Sequence, residues 1–177
     1  MKKIIPIAVL GLSIFLAACE NSSTTNDTEE STEAVEETKA AANMEALDLS
    51  EYGMPATIPI PDASKGKAEV NMTDWGSLEI RVGNRYGIEL VPYGMSVAEV
   101  KAELESDLVY EINFIEATDQ LLFYEKQIKD SDIAPEYHFF FTAEMQGDIV
   151  EIKSLGEAYS KGAVEAMIAS AKSFAAN

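Results

Sequence analysis

Alternating apolar and polar positions predict a series of strands along the C-terminal part of the chain. The segments 78–82 (LEIRV) and 86–90 (YGIEL) both alternate in this way, which is typical of a half-buried strand. The turn-prone pair Gly83-Asn84 separates them, so the two segments are expected to form a hairpin. Further strands are predicted at residues 110–114, 121–128, 137–141 and 149–153. Because short turns join them, the sheet should be mainly antiparallel.

Two amphipathic helices are predicted to cover this sheet. The strand at 137–141 (YHFFF) is apolar on both faces, so each side of the sheet needs a covering layer. The first helix begins at Ser96, which forms a capping-box sequence with Glu99. The second helix spans residues 160–174, with apolar side chains at helical spacing and a lysine in its last turn. The predicted fold class is therefore α+β, with a mainly antiparallel sheet covered by two amphipathic helices.

The proline-rich segment 54–61 (MPATIPIP) precedes the hairpin. It is predicted to be an edge strand or an extended segment, because proline cannot donate a hydrogen bond to a sheet. The order of elements, with this opening and a terminal amphipathic helix ending in Ser173-Phe174, resembles the PsbP-like α/β/α sandwich. That resemblance rests on element order and implies a helix layer on each face of the sheet. A cystatin-like fold, with a helix packed on one sheet, is the alternative.

The N-terminus has the three parts of a secretory signal peptide. Two lysines precede an almost wholly apolar run from residue 4 to residue 16, and two alanines stand before Cys19, the only cysteine of the chain. The apolar run is shorter than the roughly 20 residues that a membrane-spanning helix needs. Residues 1–18 are therefore predicted to be a signal peptide that is removed.

The sequence LAAC at 16–19 resembles the lipobox of bacterial lipoproteins. The resemblance implies that Cys19 receives a diacylglycerol on its sulfur, becomes the mature N-terminus and gains a further acyl chain on its amine. Two or more acyl chains give a stable membrane anchor. The expected location is thus the cell envelope, on the extracytoplasmic side of a membrane. Glu20 lacks the aspartate that resembles an inner-membrane retention signal in enteric bacteria, which favours the outer membrane in a cell that has two.

Residues 19–45 are predicted to be an acidic, disordered tether, and residues 46–177 a single domain. From residue 20 to residue 45, eight acidic residues face one lysine, and no aromatic residue occurs. Such a segment buries too little apolar surface to fold, and its charges repel one another. The whole chain carries a formal net charge of −18. This charge disfavours nucleic acid and anionic headgroups as partners, while cationic partners and divalent ions are compatible with it.

The predicted domain shows no catalytic or cofactor motif. His138 is the only histidine of the chain, and there is no Gly-x-Ser-x-Gly elbow and no phosphate-binding glycine loop. Zinc needs three or four nitrogen or sulfur ligands, and His138 is better explained as a packed strand residue. No metal or cofactor is predicted. The favoured function is a non-enzymatic binding or accessory module for an envelope protein or a small ligand. The alternative is an envelope hydrolase that uses paired Asp or Glu carboxylates.

Aromatic residues offer a candidate partner surface. Trp75, the only tryptophan, lies at a predicted turn and is grouped with Tyr86, Tyr93 and Tyr137 as a patch for a partner or a sugar. The competing interpretation is that Trp75 caps the open end of the hydrophobic core. Of the two, the sequence favours the cap.

Overall fold

The computed structural model describes residues 44–177, which form two antiparallel sheets and two α-helices. In chain order the elements are β1 (Met44–Asp48), a 3-10 turn (Ser50–Tyr52), β2 (Ala56–Pro61), β3 (Ala68–Met72), β4 (Leu78–Val82), β5 (Tyr86–Pro92), α1 (Val97–Glu105), β6 (Tyr110–Ala117), β7 (Leu121–Ile128), β8 (Glu136–Met145), β9 (Asp148–Ser154), α2 (Lys161–Lys172) and β10 (Ala175–Ala176). Cys19, the predicted signal peptide and most of the predicted tether lie outside the described residues.

The larger sheet has seven strands in the order β3-β4-β5-β9-β8-β7-β6. Every neighbouring pair in it is antiparallel, which confirms the predicted α+β class. The predicted hairpin is also confirmed, because Ile80 of β4 pairs with Ile88 of β5. Its turn places Gly83 at a φ of 58°, a left-handed conformation that glycine adopts at little cost. The alternation of β4 and β5 thus sets both their pairing and their buried face.

Both faces of β8 are covered, as its apolar sequence requires. On one face Phe139 belongs to the main core, which also contains Ile58 of β2 and Met167 of α2. On the other face Phe140 packs in a smaller cluster with Val97 of α1. Fully burying a side chain of this size stabilises the fold by about 1.5–3 kcal/mol. The large sheet therefore lies between α1 on one side and α2 with the small sheet on the other.

Both helices begin where their capping residues predict. Ser96 Oγ accepts from the backbone N–H of Glu99, and the Glu99 carboxylate accepts from the backbone N–H of Ser96 at 2.9 Å. Ser160 caps α2 by accepting from the backbone N–H of Ala163. Helix α2 ends at Lys172, two residues before Phe174, because the chain then turns into the short strand β10. Neither described helix is long and apolar enough to cross a membrane.

The edge-strand prediction for residues 54–61 is wrong, because β2 is the middle strand of the small sheet. Strand β1 pairs along one side of it, and β10 pairs with Ala56 and Thr57 on the other side. Strand β10 has only two residues, so the sequence contains no periodic pattern that announces it. The prolines of β2 still restrict which of its residues can donate hydrogen bonds to β10.

Two hydrogen bonds show which way the backbone of β2 faces. The Ala56 carbonyl accepts from the Leu49 N–H on the β1 side, and the Pro55 carbonyl accepts from the Asn177 N–H on the β10 side. Backbone groups alternate in direction along a strand, so residues 59 and 61 face the β10 side as residue 55 does. Both are proline. Strand β10 pairs only with Ala56 and Thr57, so Pro59 and Pro61 do not have to donate a hydrogen bond to it.

Strand β1 begins at Met44, two residues before the predicted start of the domain. Met44 pairs with Pro61, and Glu45 pairs with Ile60. The chain before Met44 therefore joins the fold at the end of β2 that leads into the β2–β3 loop.

Candidate functional site: a cationic cleft

A cleft of about 710 Å³ opens at one end of the domain, where three segments meet. Ser64 and Lys65 come from the loop between β2 and β3, Asn84 and Arg85 come from the β4–β5 turn, and Ser160 comes from the start of α2. These segments are far apart in the sequence. The cleft is therefore a product of tertiary structure.

Two glycines hold the β2–β3 loop against the β4–β5 turn. A Cβ atom added to Gly66 would lie 2.7 Å from the backbone nitrogen of Gly83, and one added to Gly83 would lie 2.7 Å from the carbonyl oxygen of Lys65. Both glycines have positive φ, 144° and 58°. The two backbones thus touch at a distance that excludes a side chain. This contact fixes Lys65 and Arg85 on one rim of the cleft.

Four cations lie around this end of the domain. Lys65 and Arg85 line the cleft, Lys67 follows in the same loop and Lys161 opens α2. None of these four forms an ion pair within residues 44–177. The described lining contains no Asp or Glu, although the whole chain has 31 acidic residues and 13 Lys and Arg.

One acidic residue does lie in the β2–β3 loop, and its hydrogen bonds are made locally. The Asp62 carboxylate accepts the backbone N–H of Ser64 at 2.9 Å. Hydrogen bonds from Ser64 lower the pKa of Asp62, with a smaller effect from the charge of Lys65. Asp62 therefore shapes the loop, and its side chain is absent from the described cleft wall.

The start of α2 adds a further positive contribution. Ser160 is the N-cap, and Gly162 and Ala163 complete the wall formed by the first turn. An added Cβ at Gly162 would meet nothing within 4 Å, so the backbone there is openly approachable. The N-terminus of a helix carries a partial positive charge and free N–H groups. Combined with the two cationic side chains, this wall suits an anion.

The aromatic patch predicted from the sequence does not form. Tyr86 is 4% exposed, since it points from β5 into the core, and Tyr137 is half-buried against Phe123. Trp75 is 95% exposed at the tip of the β3–β4 turn, so the prediction that it caps the core is wrong. Tyr93 is 79% exposed. Trp75 and Tyr93 share the end of the sheet opposite the cleft, because the two strands they adjoin are paired there.

Tyr86 instead contributes to the floor of the cleft. Burial raises the pKa of its phenol, and the nearby Ser170 hydroxyl offsets part of that effect. The hydroxyl oxygen makes no hydrogen bond within the described residues. Tyr86 thus separates the polar rim of the cleft from the apolar interior.

A second group of charged residues lies on the other face of the sheet, beside α1. Lys153 forms ion pairs with both Glu151 and Glu89, the latter at 3.5 Å between Nζ and Oε2. Glu151 is 5% exposed and also accepts the backbone N–H of Met95 at 3.2 Å. Burial lowers the pKa of Lys153, but the hydrogen bond and charge of Glu151, together with Glu89, outweigh it and raise the pKa. These carboxylates are held in an internal network.

His138 is a packed residue of the same face, as the sequence predicts. It is 7% exposed, with Nδ1 3.1 Å from Ser154 Oγ and Nε2 3.4 Å from a Glu136 carboxylate oxygen. Burial lowers the pKa of His138, against the opposing effect of Glu136. Across residues 44–177, no three His, Cys, Asp or Glu side chains gather closely enough to hold a metal ion.

The sequence does not reveal the cleft, because a few cations are hidden in a chain whose net charge is −18. The one local signal is a pair of glycines, Gly66 and Gly83, in two turn-like segments, and nothing in the sequence shows that they touch. No protein-family model, curated protein or solved structure matches this chain.

Proposed function

We propose that this protein is a lipid-anchored cell-envelope protein whose domain binds a small anionic ligand in the cationic cleft. Acyl chains on Cys19 hold it on the extracytoplasmic side of a membrane, and the chain after Cys19 serves as a spacer. The observation that carries the binding role is the convergence of Lys65 and Arg85, neither of them ion-paired within the described residues, at the start of α2.

The chemistry of the cleft favours carboxylate or phosphate groups. Arginine presents a planar set of donors that matches both groups in a bidentate way, and lysine adds a compact positive charge. The open first turn of α2 supplies backbone N–H groups. A ligand that uses all three needs at least one strongly charged end and must be small enough for a cleft of about 710 Å³.

Binding is proposed in preference to hydrolysis because of how the carboxylates are placed. A carboxylate hydrolase needs a carboxylic acid with a raised pKa close to a free carboxylate. Glu89, Glu103 and Glu151 line one concave surface beside α1, and Lys153 forms ion pairs with Glu89 and Glu151. Glu89 and Glu151 are thus engaged in ion pairs within the domain, which supports a structural role for them.

The finer fold assignment is also a proposal. We infer that residues 46–177 form a PsbP-like α/β/α sandwich. Its support is the placement of α1 on one face of the large sheet and α2 on the other. In this assignment the three-stranded sheet is an addition beside α2, formed around the proline-rich strand β2.

Substitution of Cys19 tests the anchor. In Cys19→Ser we expect loss of the lipid adducts, accumulation of unprocessed precursor and release from the membrane fraction. Mass spectrometry of the purified protein measures the first two effects, and membrane fractionation measures the third. Unchanged processing and unchanged membrane association would show that the anchor proposal is wrong.

Titration with small anions tests the cleft. Inorganic phosphate and citrate are added to the full chain in neutral detergent, and backbone amide shifts are followed by NMR. We expect saturable shifts at Ser64, Arg85 and Gly162. The double variant K65Q/R85Q should lose them, whereas K129Q/K172Q, which makes the same change in charge elsewhere, should keep them. Equal responses in both variants would contradict specific binding of anions in the cleft.

A further inference from the structure

The cleft lies where the acidic N-terminal segment joins the domain. Met44, the first described residue, pairs with Pro61 and also lines the cleft. Lys65 follows Pro61 by four residues in the adjoining loop. Whatever precedes Met44 therefore starts at the wall of the cleft itself.

An acidic run separated from Met44 by six residues has the opposite charge to the cleft, and the link between them carries one lysine, Lys39. Residues 27–37 (DTEESTEAVEE) contain six acidic residues and no basic one. Over the rest of the described domain, acidic residues outnumber basic ones, and several cations there are already ion-paired. The cleft is thus a described surface whose charge complements this segment.

The link between the acidic segment and the domain is long enough to let the segment reach the cleft and short enough to keep it nearby. Residues 38–43 separate the acidic segment from Met44, and a chain spans at most about 3.3–3.6 Å per residue. The acidic side chains nearest the domain can reach the cleft without strain. Because a short link keeps them close to it, their effective concentration there is on the order of millimolar.

We propose that residues 27–37 dock in the cationic cleft of their own chain and compete with the anionic ligand. The competition rests on the proposed function of the cleft, whereas the docking itself rests on charge and connectivity. Exposed ion pairs are individually weak and are screened by salt, so the docked segment is reversibly displaced. Ligand binding would then release the segment from the cleft.

The test compares two sets of charge-neutralising substitutions in the full chain in neutral detergent. The tether variant replaces the six acids of residues 27–37 by Asn or Gln. The control variant neutralises six exposed acids of the domain, which are Glu103, Glu111, Asp119, Asp132, Glu144 and Asp148. Backbone amide shifts are recorded without ligand at low and high salt, and the affinity for inorganic phosphate is then measured.

In the tether variant we expect amide shifts at Lys65, Arg85 and Gly162 before any ligand is added, independent of protein concentration. If the segment occupies the cleft nine-tenths of the time, phosphate should bind the variant about tenfold more tightly at low salt. That gain should vanish at high salt. The control variant should show neither change.

The results separate the two proposals. Cleft amides that stay unchanged in the tether variant overturn the docking, and so do equal changes in both variants, which would reflect net charge alone. Failure of phosphate and citrate to bind any variant overturns the ligand-binding proposal. In that case the amide shifts measured without ligand still decide whether the segment docks.

Discussion

The cationic cleft and the charged surface beside α1 differ in whether their charges are matched inside the protein. Beside α1, Lys153 is paired with Glu89 and Glu151. In the cleft, Lys65 and Arg85 have no ion-pair partner among the described residues. A matched network stabilises the fold that contains it. An unmatched cluster in an acidic chain contributes little to the fold and is available to an external anion.

The largest expected effect concerns the backbone contact that builds the cleft. Gly66→Ala places a Cβ 2.7 Å from the Gly83 nitrogen at a φ of 144°, so we expect a loss of about 2–3 kcal/mol in the free energy of unfolding. Urea denaturation measures it. Gly76→Ala is the matched control, since its φ of 83° carries the backbone cost with nothing within 4 Å. Equal losses would mean that the contact between the two loops is unimportant.

The next effect concerns the matched network. Lys153→Met should destabilise the protein by about 2 kcal/mol, because Glu151 would remain buried without its cation. The figure is below that of a fully buried pair, since Lys153 is partly exposed and solvent screens its charge. Urea denaturation at neutral pH is the measurement. No change in stability would mean that Lys153, like the cations of the cleft, contributes little to the stability of the fold.

A smaller effect is expected from pH. Burial lowers the pKa of His138 below 6.5, so the unfolded chain binds more protons as the pH falls. The contribution of neutral His138 to the free energy of unfolding is therefore complete above about pH 6.5. It is lost progressively as the pH falls toward the pKa of His138 in the folded state. Urea midpoints between pH 7.5 and 5.5 should decline in the natural protein and decline less in His138→Gln. Identical slopes would show that His138 does not titrate in this way.

The smallest effect on stability belongs to the cleft itself. K65Q and R85Q should each change the free energy of unfolding by about 0.5 kcal/mol or less, because exposed cations without ion pairs contribute little. The same urea experiment measures this. A loss comparable to that of Lys153→Met would show that these side chains have structural partners, and the contrast between the two regions would then fail.

Local patterns predict much of this fold because they act through neighbouring residues. The alternation in β4 and β5 and the cap at Ser96 need only a few adjacent positions, and the structure confirms them. Strand β10 is too short to carry a pattern, so the position of β2 was predicted wrongly. Alternation places Tyr86 on the same face of β5 as Ile88, and the structure shows that both side chains are buried there.

The candidate site depends on long-range contacts and for that reason could not be predicted. Which cations remain without ion pairs is decided by pairs such as Arg81 with Glu157, which lie 76 residues apart. The approach of Gly66 to Gly83 is likewise set by the packing of the β2–β3 loop on the hairpin. The net charge of the chain does not show which cations lack ion pairs, and no local pattern shows that the two glycines meet.

If the chain is anchored at Cys19, as proposed, a pull on the anchor reaches the described domain through β1, whose first residue, Met44, pairs with Pro61. With an anchor at Cys19, drag on the domain would pull on this strand before any other. All five side chains of β1 are exposed or only half-buried, so it is held largely by its backbone ladder to β2. Tension that peels it away would remove Met44 from the cleft wall while Ile58 and Ile60 stay in the core. A pull on the proposed anchor would therefore act directly on one wall of the cleft.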